Sequence, residues 1–165
     1  MIKLDNFSSF FVANWKLNGN FQFIDQFIAE ISLPRDKSKC VVICPTSIHL
    51  DYMIKNKKEF YVGAQNVSQH KVGAFTGEIS ADCLSDLNVN FCIVGHSERR
   101  QFFYEKNEEI NNKNENLIKN ILACITIILA SNNVKFLKKN TFKKIRLVDG
   151  RGDTSKIKVN NKIIN

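Results

Sequence analysis

Five short apolar runs punctuate the first 130 residues, at positions 10–13, 40–44, 60–64, 91–94 and 125–130. Each is apolar at consecutive positions and too short for a typical helix, the pattern of a strand buried on both faces. Between them the period changes. Ile24, Phe27, Ile28 and Ile31 recur at the spacing that gathers side chains on one helical face, and Pro34 marks the end of that helix. Ser80, with Asp82 in the first turn, predicts the N-cap of a helix reaching Leu87. A third helix is expected from Glu108 to Ile121, with Ile110, Asn114, Leu117, Ile118 and Ile121 along one face and Asn114 as its polar weak point. Strands alternating with helices predict a parallel α/β sheet.

Composition narrows this picture without redirecting it. A chain of 165 residues with 44% hydrophobic and 24% charged residues is that of one soluble folded unit. The net charge of +8 is a property of the C-terminal part: residues 106–165 hold 13 Lys/Arg against 5 Asp/Glu, whereas residues 1–105 hold 11 of each. Such a tail can attract anions, but its lysines are not interleaved with stacking aromatics, so a nucleic-acid partner is not expected. Cys40, Cys44, Cys83, Cys92 and Cys124 form no Cys-x-x-Cys pair and have no histidine at ligand spacing, which argues against zinc and redox roles. Four of the five lie in apolar runs and read as buried, reduced thiols. The start lacks the apolar core and cleavage site of a secretory signal. The most apolar stretch, residues 121–130, falls short of the roughly 20 residues a membrane helix needs. The expectation is a soluble, cytoplasmic protein with no membrane partner.

The richest chemistry lies where two of the apolar runs end. Val12-Ala13-Asn14-Trp15-Lys16 closes the first, and Phe91-Cys92-Ile93-Val94-Gly95-His96-Ser97-Glu98-Arg99-Arg100 carries the fourth into a cluster of ionisable side chains. Gly63-Ala64-Gln65-Asn66-Val67 and Gly73-Ala74-Phe75-Thr76-Gly77-Glu78 lie between them. In a parallel α/β array the loops after the strands share one face, so Asn14, Lys16, Gln65, Asn66, His96, Ser97 and Glu98 are expected to converge there. In these strings, their order and their spacing, the chain resembles the triosephosphate isomerase family over residues 10–118.

That resemblance implies a (β/α)8 barrel of which this chain supplies five or six units, since the closed barrel typically takes about 250 residues. It divides the chain into N-terminal βα units at 1–130 and a basic segment at 131–165, where Lys144-Ile145-Arg146-Leu147-Val148-Asp149-Gly150 is weakly similar to the family's seventh strand. It also implies interconversion of dihydroxyacetone phosphate and D-glyceraldehyde 3-phosphate, a step of glycolysis and gluconeogenesis, with no cofactor and no metal. By the same resemblance Lys16 supplies positive charge to the substrate and Asn14 binds substrate or orients Lys16. His96 is then a neutral electrophile kept so by the helix that follows it, while Glu98 and Ser97 support the site. Arg99 and Arg100 are expected to bridge loops or a subunit interface, and His49 and His70 to be structural. The loop 65–78 is long for a βα connection, where about 2–6 residues is usual. In the family it enters a partner subunit, so Thr76 is expected to reach the other site of a homodimer.

Two family features have no counterpart in these residues. The Cys-Ile-Gly-Glu end of the fifth strand is replaced by Leu129-Ala130-Ser131-Asn132-Asn133, and no glutamate stands in the Tyr-Glu-Pro-x-Trp context of the family's catalytic base; Trp15 is the sole tryptophan. The expectation is therefore an isomerase by family with impaired turnover. The alternatives are a non-catalytic remnant or a basic anion-binding module.

Overall fold

The computed structural model describes residues 4–120, 123–126 and 145–149. Six strands form one parallel sheet: β1 (Ser9–Asn14), β2 (Lys39–Cys44), β3 (Tyr61–Ala64), β4 (Phe91–Val94), β5 (Ala123–Thr126) and β6 (Ile145–Asp149). Their spatial order is β5-β4-β3-β2-β1-β6. The first five thus lie side by side in chain order, which is the arrangement of a (β/α) barrel short of closure. Helices α1 (Phe21–Glu30), α2 (Leu50–Asn56) and α3 (Ala81–Asp86) connect successive strands. Two helices, α4 (Ser97–Phe102) and α5 (Asn107–Lys119), follow β4. Among the described residues no helix is long and apolar enough to cross a membrane.

Strand alternation divides the core into two layers. Phe10, Val12, Cys40, Val42, Cys44, Phe91 and Ile93 form a cluster on the concave side of the strands. Ala13, Ile43, Val62, Ala64, Cys92 and Val94, from β1 to β4, pack instead with helical residues such as Ile24, Phe27, Met53, Leu84, Ile110 and Leu117. Burial on both faces is why these runs lack a polar alternate position. The inner layer is tight: a Cβ on Gly63 would stand 2.6 Å from Cys44 Sγ and 3.1 Å from Val42 Cγ1.

The expected helices form where the periodicity places them. Asn20 caps α1, its Oδ1 accepting from Phe23 N at 2.8 Å, and Ser80 caps α3 by accepting from Cys83 N at 3.2 Å. Helix α2 was not marked by any strong periodic signal and adds Leu50 and Met53 to the core. Helix α5 ends at Lys119 rather than Ile121, and β5 begins at Ala123 rather than 125. Asn120 caps α5, and the apolar run that follows it from Ile121 does not by itself locate the start of the strand. Residues 145–149 form β6, paired in register with β1. The remainder of the expected basic segment lies outside the described residues.

Candidate active site at the C-terminal edge of the sheet

The loop after β1 is fixed by polar contacts that hold an uncommon backbone conformation. Lys16 has φ +53, a left-handed geometry that costs a non-glycine residue about 1–2 kcal/mol. Asn14, buried at the end of β1, accepts from Lys16 N through Oδ1 at 3.0 Å. Gln65, just past β3, donates through Nε2 to Lys16 O and Cys44 O, both at 2.9 Å. Trp15 anchors the turn from below, buried against Phe23 and Phe27 at centroid distances of 4.8 and 5.0 Å. The side chain of Lys16 is thereby directed along the strand-end face.

The loop after β4 turns at Gly95, with φ +69 and Ile110 so close that a Cβ would meet its Cδ1 at 2.9 Å. His96 then serves as the N-cap of α4: its Nδ1 accepts from Glu98 N at 3.2 Å. A ring nitrogen that accepts carries no proton, so the neutral imidazole holds its hydrogen on Nε2. Ser97 is the first residue of α4, beside the imidazole.

Glu98 joins the two loops. One carboxylate oxygen lies 2.8 Å from Lys16 Nζ, and the other lies 3.5 Å from His96 Nδ1. The second contact is not a hydrogen bond in the neutral ring, because the Nδ1 lone pair is already engaged by the amide. The Lys16–Glu98 pair is partly exposed, with side chains 28% and 40% accessible. It contributes at most about 1 kcal/mol to stability, and its consequence is positional: the ammonium is held beside the imidazole. Lys16, Glu98, His96, Asn14 and Ser97 are thus brought to one edge of the sheet. Thr76 is exposed in the loop after β3. The base of that loop is closed by Ser68 N donating to Ile79 O at 2.8 Å, with Val67 and Ser68 buried.

Arg99 and Arg100 bridge loop segments within the chain. Arg99 Nε donates to Glu105 Oε1 at 3.2 Å; Arg100 Nη1 donates to Asn107 Oδ1 at 2.8 Å and its Nε to Gly95 O at 3.3 Å. His49 is buried with Nδ1 against Thr46 Oγ1, and His70 stacks on Phe75, both structural roles.

A feature that sequence reasoning missed lies beneath this face. Lys113 of α5 is buried, with Nζ bonded to Glu105 and, at 2.9 Å, to Asn66 Oδ1. Glu105, also buried, receives Arg99 on the same oxygen. The network ties the loops after β3 and β4 to α5. Its one sequence signal is the position of Lys113 three residues after Ile110, on the apolar side of the helix.

Known proteins bear on this geometry directly. The triosephosphate isomerase of Clostridium botulinum (strain Loch Maree / Type A3) is 40% identical over 104 residues, which cover 61% of this chain and 42% of that relative. The chain thus matches less than half the length of that relative. The family model described as triosephosphate isomerase matches residues 9–148, from β1 almost to the end of β6. Since that match takes in most of the chain and every element that positions Lys16, His96 and Glu98, the chain belongs to the triosephosphate isomerase family.

Proposed function

We propose that this chain carries the electrophilic half of a triosephosphate isomerase site, acting on dihydroxyacetone phosphate and D-glyceraldehyde 3-phosphate. The observation that carries the reading is the Glu98 carboxylate, shared between Lys16 Nζ and the loop that presents His96. Isomerisation removes a proton from the carbon next to a carbonyl, builds an enediolate and returns the proton to the neighbouring carbon. Negative charge develops on the carbonyl oxygen, where a preformed donor and a cation are most effective. His96 Nε2–H is the donor and Lys16 the cation, which also attracts the substrate phosphate. Asn14 keeps Lys16 in place, and Ser97 and Glu98 support the pair.

The third requirement is a carboxylate base, and no glutamate of the sequence has the family's neighbourhood for it. A positioned acid or base contributes about 100- to 10,000-fold, so the chain alone is expected to turn over more slowly than a complete site by that factor. An enzyme-coupled assay for glyceraldehyde 3-phosphate tests this. Slow turnover that His96→Gln and Lys16→Ala each remove supports the reading; turnover indifferent to both refutes it.

A homodimer through the loop at 65–78 completes the proposal, with Thr76 directed toward the partner's site. Leu17, Ile48, Val72, Phe75, Phe102 and Phe103 are exposed, and all belong to connections that follow the C-terminal ends of strands, so one edge of the sheet gathers them. Exposed apolar side chains gathered at one edge support an interaction site there. Sedimentation equilibrium checks it: Val72→Asp with Phe75→Asp is expected to leave a monomer.

A further inference from the structure

The opposite end of the sheet holds a second arrangement that the isomerase chemistry does not use. Where β2 and β3 begin, a cavity of about 320 Å³ is lined by residues that include Phe7, Lys37, Lys39, Lys57, Glu59 and Tyr61. Lys57, immediately after α2, is half-buried there. Its Nζ donates to Phe60 O at 2.8 Å and lies 5.9 Å from the centroid of the Tyr61 ring.

This setting differs from that of the lysines held in ion pairs. Lys16, Lys37, Lys39, Lys55 and Lys113 each face a carboxylate, and loss of a proton would cost each an ion pair. Lys57 faces a neutral carbonyl and a ring. As a free amine it keeps two hydrogens, one for Phe60 O, and its lone pair is released for attack. Burial also lowers its pKa from the ordinary lysine value, because a desolvated site disfavours the ammonium. The other charged or titratable groups facing the cavity are Asp36, Lys37, Lys39, Glu59 and Tyr61. The Lys37–Glu59 pair is highly exposed, with both side chains about 80% accessible, and Lys39 stands 3.8 Å from Asp36. Such pairs are weak and exchange with solvent ions, so both ammonium groups are available to an incoming dianion.

We propose that Lys57 is an acylation site for acyl phosphates, the phosphate being received by Lys37 and Lys39 while the Lys57 amine attacks the acyl carbon. The ammonium first gives one proton to water; the N–C amide bond then forms, the C–O bond to phosphate breaks, inorganic phosphate departs with the electron pair, and the nitrogen releases a second proton, taken up by phosphate or water. No oxidation or reduction is involved, and the cavity loses one positive charge. The site is independent of the edge that carries Lys16 and His96.

The test treats the full chain with acetyl phosphate at neutral pH and reads acetylation of each lysine by mass spectrometry of chymotryptic peptides. The internal reference is Lys58, an exposed neighbour whose Nζ also donates to a backbone carbonyl, Ala29 O. Lys57 is expected to be acetylated several-fold faster than Lys58. Inorganic phosphate, or the double substitution Lys37→Gln with Lys39→Gln, is expected to slow Lys57 selectively. With an uncharged N-hydroxysuccinimide ester the same double variant is expected to react at Lys57 as the parent chain does, which separates phosphate attraction from amine reactivity. Equal rates at Lys57 and Lys58 with acetyl phosphate overturn the proposal. So does a Lys57 rate unmoved by both phosphate and the double substitution.

Discussion

Replacing Lys113 by methionine leaves the apolar stem of the side chain and removes its charge, so it isolates what the buried ion pair does for the loops beneath the site. The Lys113 and Glu105 side chains are 6% and 3% accessible. Removing one partner of a buried pair typically costs about 3–5 kcal/mol, because the other charge is left without compensation. Arg99 remains on Glu105 at 3.2 Å, and its side chain is 27% accessible, so part of that charge stays balanced and the low end, about 3 kcal/mol, is expected. Asn66 Oδ1 also loses its donor, which adds a smaller penalty of about 1 kcal/mol. A urea titration slope of about 1–3 kcal/mol per molar converts the total loss of about 4 kcal/mol into a midpoint lowered by about 1–4 M. Glu105→Gln combined with Lys113→Met removes both charges and is expected to recover most of the loss, since neutral replacement of a buried pair is often close to neutral in stability. A single-variant loss below about 1 kcal/mol, or a double variant no more stable than the single, would refute the reasoning.

Other predictions follow from individual contacts. Gly95→Ala combines about 1–2 kcal/mol for a left-handed residue with a Cβ and about 1–3 kcal/mol for crowding Ile110; chemical unfolding should show a loss between about 2 and 5 kcal/mol. Cys83 is exposed while Cys40, Cys44 and Cys92 are buried, so peptide mapping after brief exposure to a thiol reagent should find Cys83 labelled before those three. Burial pushes the Cys40 thiol from 9.0 up to about 12. Above the ordinary value the unfolded chain ionises this thiol and the folded chain does not, so its contribution to stability is intact below pH 9 and declines as pH rises toward 12. Cys40→Ala should therefore flatten the alkaline limb of a stability-against-pH curve, and an unchanged limb would contradict the assignment.

The strands and the site loops were legible because each rests on local chemistry. A strand buried on both faces has to be apolar at every position, and β1 to β4 announce themselves that way. Gly95 and the polar residues after it mark the turn where His96, Ser97 and Glu98 emerge. The start of β5 was less clear, since the apolar run from Ile121 onward follows the Asn120 cap of α5 with nothing to separate linker from strand. What escaped sequence reading is chemistry made by distant contacts. The joining of Gln65 to Lys16 spans 49 positions, and that of Lys113 to Asn66 spans 47. Neither leaves a periodic trace. Lys113 and Glu105 also run against the usual solvation of charged side chains, so their burial emerges only once α5 packs beneath the loop after β4. Lys57 escaped for the same reason, because a lysine near a helix end reads as solvated until Phe60 and Tyr61 fold over it.

The central claim, that Lys16 and His96 act together on an enediolate, is tested most directly by calorimetric titration of the chain with a phosphorylated hydroxamate shaped like that intermediate. The account predicts binding that Lys16→Ala and His96→Gln each weaken by about 10- to 100-fold, the worth of one hydrogen bond involving a charged group. Binding of equal strength in the parent chain and both variants, or no binding by the parent chain, would contradict it.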